Sequence, residues 1–221
     1  MIFLLKKDLL IQKKSFLFLF FYGIFLLITF NNPVFRDTVY SMGLIITVYF
    51  FLITANMEDE KNKSEIVLNS LPLRRSQLVL AKYLSVFVYI FIGAIILGGL
   101  GLLFQLPAIP FTPRLLNLTD LLTASFLISI CVSIYLPLYF RFGATALRFF
   151  SVIFFLCFFF LPRLLYDLYF TYAETAIVRF LQNFFLEQSP LLQTAVVMII
   201  ILSLLTSSFF LSRKIYLQKD F

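Results

Sequence analysis

Histidine and tryptophan are missing from the 221 residues, and cysteine occurs only twice, as Cys131 and Cys157. Without an imidazole, a nucleophile has no histidine base to activate it, and no HExxH run or cysteine cluster offers a zinc site. Both cysteines lie inside apolar blocks and read as packing residues rather than as a disulfide or metal pair. Nor is there a GxxxxGK[ST] loop. The glycine-rich run GAIILGGLG leads only into apolar residues, with no lysine to meet a phosphate, so the chain cannot bind ATP by that means. Charge is scarce at 13%, and no Asp, Glu, Lys or Arg falls near the middle of an apolar block. Proton-coupled carriers and voltage sensors need ionisable groups at that depth, so their mechanisms are excluded. A buried carboxylate is likewise not expected.

What the chain has is hydrophobic length. Sixty-two per cent of its residues are hydrophobic, 31 are phenylalanine, and the mean hydropathy is +1.00. No water-soluble domain of this size has that composition. Long apolar blocks without alternation satisfy their backbone in lipid only as helices, which makes this an all-α integral membrane protein. The net charge of +7 could suggest nucleic acid, but the basic residues stand between apolar blocks. That placement is the mark of membrane anchoring, and no nucleic-acid partner is expected.

The blocks predict six transmembrane helices in one domain covering 1–221, with spans at about 16–30, 39–55, 76–104, 120–140, 144–162 and 191–211. Residues 1–15, with Lys6, Lys7, Lys13 and Lys14, read as an N-terminal interfacial helix retained as an anchor. Ser76 is the expected N-cap of the third span, and Pro137 should bend the fourth. Arg148 is expected to snorkel from the start of the fifth. Residues 163–190 carry a helical stripe that drifts near Thr175, which predicts two short helices lying at or dipping into the outer leaflet. Placing both termini in the cytoplasm puts 14 of the 18 basic residues inside, the orientation the positive-inside rule selects.

Residues 58–75, EDEKNKSEIVLNSLPLRR, form the longest strongly polar run and read as a cytoplasmic loop within 56–75. Glu58, Asp59 and Glu60 are expected to be the solvated end of the second span. Ala94, Gly98 and Gly101, and Ser125, Ser129 and Ser133, recur at helical spacing and read as close-packing positions. Tyr22, Tyr40, Tyr83, Tyr139 and Tyr166 fall near span ends, where tyrosine anchors at headgroups.

Two motifs give the loops a resemblance. LNSLPLRRSQLVLAKYL, residues 68–84, resembles the SLP-hydrophobic-x-R-x5-AKYL stretch of small type-2 ABC exporter permeases. LPLYFRFGATALR, residues 136–148, is similar to the inner turn that the same group carries after its fourth span. The nearest group is the permeases of phenol-soluble modulin exporters. The resemblance implies a coupling helix at about 64–71 seated in a separate ATP-binding cassette ATPase. Its candidate contact residues are Ser64, Glu65, Leu68, Leu71, Pro72, Arg74 and Arg75, with a secondary cytoplasmic turn at Arg141, Phe142, Gly143 and Arg148. It further implies re-entrant helices between the last two spans, a second permease chain as a homodimer or related heterodimer, and ATP and Mg held by the partner ATPase rather than by this chain. The expected function is export of amphipathic or hydrophobic cargo, such as a peptide toxin or antimicrobial peptide, across a bacterial plasma membrane. A membrane scaffold without transport activity is the alternative.

Overall fold

A backbone removed from water has to close its hydrogen bonds within itself, and among the described residues all regular structure is helical. The computed structural model describes residues 2–30, 35–70, 74–106, 113–149, 153, 171, 175 and 189–219. These form α1 (Ile2–Ile11), α2 (Lys13–Thr29), α3 (Val39–Lys61), α4 (Ser64–Ser70), α5 (Arg75–Leu103), α6 (Leu118–Phe142) and α7 (Pro190–Leu217). Of the expected fifth span at 144–162 the described residues cover 144–149 and 153, and of the outer segment at 163–190 they cover 171, 175, 189 and 190.

Among the described residues four helices, α3, α5, α6 and α7, are long and apolar enough to cross a membrane. The shortest of them, α3, has 23 residues and is about 35 Å long at 1.5 Å per residue, ample for a hydrocarbon core of about 30 Å. A fifth crossing results if α1 and α2 are taken together, though Phe3–Ile11 and Ser15–Thr29 are bent by 62°. The bend is anchored at Gln12, which is fully buried between the two helices. Its Nε2 donates to the Phe51 carbonyl at 2.6 Å, and its Oε1 accepts from Thr54 Oγ1 at 2.9 Å, so α3 holds the joint.

Helix α3 is the innermost, packed against α5 and α6, while α7 is peripheral and lies along α6 and α5. Tyr40, Leu44, Phe51, Leu97 and Leu136 have no measurable exposure at the heart of the bundle. Close approach is secured by glycine. A Cβ at Gly101 would collide with the Tyr40 hydroxyl, and one at Gly93 would press on Leu44 and Thr47.

Several expectations change here. Tyr40, Tyr83 and Tyr139 are core residues, not headgroup anchors. Helix packing provides each of the first two with a partner for its hydroxyl: Tyr40 donates to the Arg114 carbonyl at 2.6 Å, and Tyr83 meets Ser208 at 2.6 Å and Ser212 at 2.8 Å. Helix α5 starts at Arg75 rather than at Ser76, with Arg74 as the extended N-cap residue; the Arg74 amide donates to Gln77 Oε1 at 3.2 Å. Helix α7 continues to Leu217, two turns into the expected tail, because Ser212 and Tyr216 are buried against the bundle.

The two ends of the bundle differ in their stitching. At one end Arg114 pairs with Asp120 at 2.6 Å and donates to the Asp37 carbonyl at 3.1 Å. At the other end gather α1, α4, the turn after α6 and the end of α7.

Candidate functional site

Helix α3 runs through Glu58, Asp59 and Glu60 as far as Lys61, so these residues are helical and not the start of a loop. Consecutive positions on a helix point about 100° apart, and here that difference sends two neighbouring carboxylates to separate parts of the molecule.

Asp59 turns inward. Its side chain is only 3% exposed, with Oδ1 at 2.6 Å from Lys7 Nζ and Oδ2 at 2.6 Å from Lys82 Nζ. Asp8, equally buried, lies 3.4 Å from both ammonium groups and accepts from Ser85 Oγ at 2.8 Å. Two carboxylates and two lysines thus form a neutral cluster joining α1, α3 and α5. Buried carboxylates therefore exist, contrary to expectation, and Asp59 is not solvated. Each is matched by a cation because an unpaired charge in such surroundings would cost several kcal/mol.

Glu60 turns toward the segment after α6. Its Oε2 accepts the backbone amides of Ala144 and Thr145, the latter at 3.0 Å, and its Oε1 accepts the Thr145 hydroxyl. The chain reaches this position through Gly143, which ends α6 with φ +83°, a conformation that suits glycine. A Cβ at Gly143 would also stand 3.1 Å from Glu60 Oε2.

Beyond α3, only Asn62 and Lys63 separate its end from α4, with Lys63 in the left-handed region at φ +49°. Ser64 opens α4 and Leu68 rests against the core. Both help line a cavity of about 30 Å³ whose other walls include Lys7, Asp59 and Lys82. Val67 is 61% exposed and Ser70 is exposed, so α4 turns part of its surface outward. Glu65 belongs to α4, but its side chain, like Leu71 and Pro72, lies outside the described residues.

Arg74 is exposed. Arg75 instead reaches the end of α7, donating to the Leu217 carbonyl at 3.3 Å and the Lys219 carbonyl at 3.1 Å. Arg141, exposed in the last turn of α6, stacks its guanidinium over the Phe142 ring at 5.2 Å. It borders an open cleft of about 400 Å³ shared with Ile215, Gln218 and Lys219. Arg148 is exposed beyond the Glu60 contact. The two motif regions therefore lie at one end of the bundle, joined through Glu60.

Sequence reasoning missed Lys7, Asp8, Asp59, Glu60, Lys82 and Ser85. A signal was present: Lys82 stands as a lone charge inside the apolar run LVLAKYL, and Asp8 is the one acidic residue among the four lysines of the N-terminal stretch. Among the described residues no group of three or more Cys, Asp or Glu is placed to hold a metal ion.

A multi-helix membrane protein with a polar helix at one end, braced to several spans and carrying no nucleotide loop of its own, has the form of a transporter's membrane component. A family model described as ABC-2 family transporter protein matches residues 3–217. The chain belongs to that family, and is a membrane-embedded permease component of an ATP-binding cassette transporter, a class that works with an ATPase partner. No curated protein and no solved structure matches it.

Proposed function

We propose that this chain is the permease of an exporter that expels amphipathic or hydrophobic cargo, with peptide toxins or antimicrobial peptides of the phenol-soluble modulin kind as the leading class. The separate ATPase docks on α4, which acts as the coupling helix, with Ser64, Glu65, Leu68, Leu71 and Pro72 at the contact and Arg74 and Arg75 behind it. Two permease chains, identical or related, pair around the path. The chain crosses a bacterial plasma membrane six times with both termini in the cytoplasm, in keeping with the uneven distribution of its lysines and arginines.

The observation that carries this reading is the position of α4. It sits at the tip of the innermost helix, turns Val67 outward, and adjoins a stitched region that reaches α1, α5 and the turn after α6. A push delivered there reaches most of the bundle. The apolar helices offer walls suited to greasy cargo and no charged site at mid-depth.

The test is co-purification with an ATP-binding cassette ATPase, followed by Val67→Asp on the exposed side of α4. Loss of ATPase association and of ATP-dependent peptide export is expected. A scaffold would keep its associations and show no nucleotide-driven change in the bundle.

A further inference from the structure

We propose that the buried cluster of Lys7, Asp8, Asp59 and Lys82 is the strut that carries movement of α4 into α1 and α5; this rests on the reading of α4 as the docking helix. These four are positioning residues, since they meet one another inside the bundle.

The argument begins with how α4 is attached. The turn between α3 and α4 is two residues long, so α4 cannot shift far without pulling on the end of α3, where Asp59 stands one turn before. Ser64 and Leu68 of α4 also form one wall of the cavity that Lys7, Asp59 and Lys82 form on the other sides. At about 30 Å³ the cavity has space for roughly one water, so displacement of α4 toward the bundle bears on the cluster almost at once.

The second step concerns stiffness. Asp59 and Asp8 are 3% exposed and Lys82 11%, and the Asp59 contacts to Lys7 and Lys82 are both 2.6 Å. Parting any of these leaves an unpaired charge in a poorly solvated place, which makes the cluster move as a body in preference to coming apart. Ser85 adds a hydrogen bond from α5 to Asp8, so α1 and α5 are joined to each other as well as to α3.

The third step is that α1 has few other holds within its own length. Phe3 and Leu10 are 85% and 64% exposed, among its described side chains Leu4 and Asp8 are the buried ones with Leu9 partly packed on the core, and past its end the Gln12 joint ties it to α3. Where the cluster goes, α1 goes with it. A neutral core would have packed α1 by area alone, letting it slide; a set of short, directional charge contacts fixes its register against Asp59.

The experiment uses the chain assembled in lipid nanodiscs with the ATPase that co-purifies with it, in a Cys131→Ser, Cys157→Ser background. Spin labels at Leu10→Cys and Thr194→Cys report α1, and labels at Asn62→Cys, exposed in the turn that leads into α4 and outside the docking residues, and Thr194→Cys report α4. With ATP and vanadate, both distances are expected to shift. In Lys7→Met, which is the most exposed member of the cluster at 29%, the α4 shift is expected to remain while the α1 shift shrinks, because Asp8 alone, through Lys82 and Ser85, still joins α1 to the cluster, with less cargo exported per ATP hydrolysed. Should Lys7→Met not assemble, Ser85→Ala, which removes one hydroxyl contact with Asp8, is expected to reduce the α1 shift without abolishing it. An α1 shift that survives unchanged in the assembled variant, or an α1 that stays still while α4 moves in the unsubstituted chain, overturns the proposal. An α4 that never moves, or an ATPase that never binds, defeats the docking reading itself and is seen before any cluster variant is made.

Discussion

The backbone amide of Thr145 donates to the Glu60 carboxylate at 3.0 Å, across 85 positions of the chain. Residues 144–147 form a turn, and turn amides left without a backbone acceptor have to be met by a side chain or by water. Here the acceptor comes from the end of α3. The carboxylate ties the base of the polar loop to the turn after α6.

Glu60→Ala should therefore destabilise the fold by about 1–2 kcal/mol, the usual loss for removing a cap. Glu60→Gln, which keeps an acceptor oxygen but no charge, should lie in between. Thermal unfolding in detergent measures both. An unchanged midpoint for Glu60→Ala would mean that water replaces the carboxylate at no cost.

Gly143→Ala meets two obstacles at once. The φ of +83° costs an L-residue about 1–3 kcal/mol, and the new methyl presses on Glu60 Oε2. Combining Gly143→Ala with Glu60→Ala should recover the contact part of the loss but not the backbone part. A double-mutant cycle read by thermal unfolding separates the two, and full recovery would show that backbone strain contributes nothing.

Lys82→Met leaves Asp8 and Asp59 short of one cation, and removal of one buried partner costs about 3–5 kcal/mol. Asp59→Asn in the same chain restores a neutral cluster, since Lys7 and Asp8 remain as a pair. The double variant should be more stable than the sum of the single losses implies, with a coupling energy of about 1–3 kcal/mol. Additive losses would mean that the charges do not interact in the folded protein.

Tyr40 and Gly101 form a fourth test, away from the loop. Gly101→Ala drives a methyl into the Tyr40 hydroxyl and should lower stability by about 1–3 kcal/mol. Tyr40→Phe alone should cost about 1 kcal/mol, because the Arg114 carbonyl loses its donor. Together the two should cost less than their sum, since the missing hydroxyl frees space for the methyl. Size-exclusion recovery after graded heating is a sufficient readout.

Much of the protein was legible one residue at a time. The length of the apolar blocks and the scarcity of charge already point to a helical membrane protein. The SLPLRR and FRFG stretches marked the two polar turns. What local reading misjudged was exposure. Glu58, Asp59 and Glu60 look like one solvated patch because they are adjacent and acidic, yet Asp59 is buried and Glu60 caps a distant turn. Tyr40 and Tyr83 look like interfacial anchors because they stand near block ends, yet each is buried and bonds a partner on another segment.

By itself, then, the sequence determined the class of structure: helices, because lipid leaves the backbone no other partner over such lengths, and polar turns where charges interrupt them. Tertiary packing alone decided which charges meet. Lys7 and Asp59 are 52 positions apart, and Lys82 and Asp8 are 74. Helical periodicity says which side of its own helix a residue occupies, but a contact across such separations depends on the bend at Gln12 and on how α1, α3 and α5 cross. The polar stretch at 58–75 is consequently less a free loop than the outer end of a braced joint.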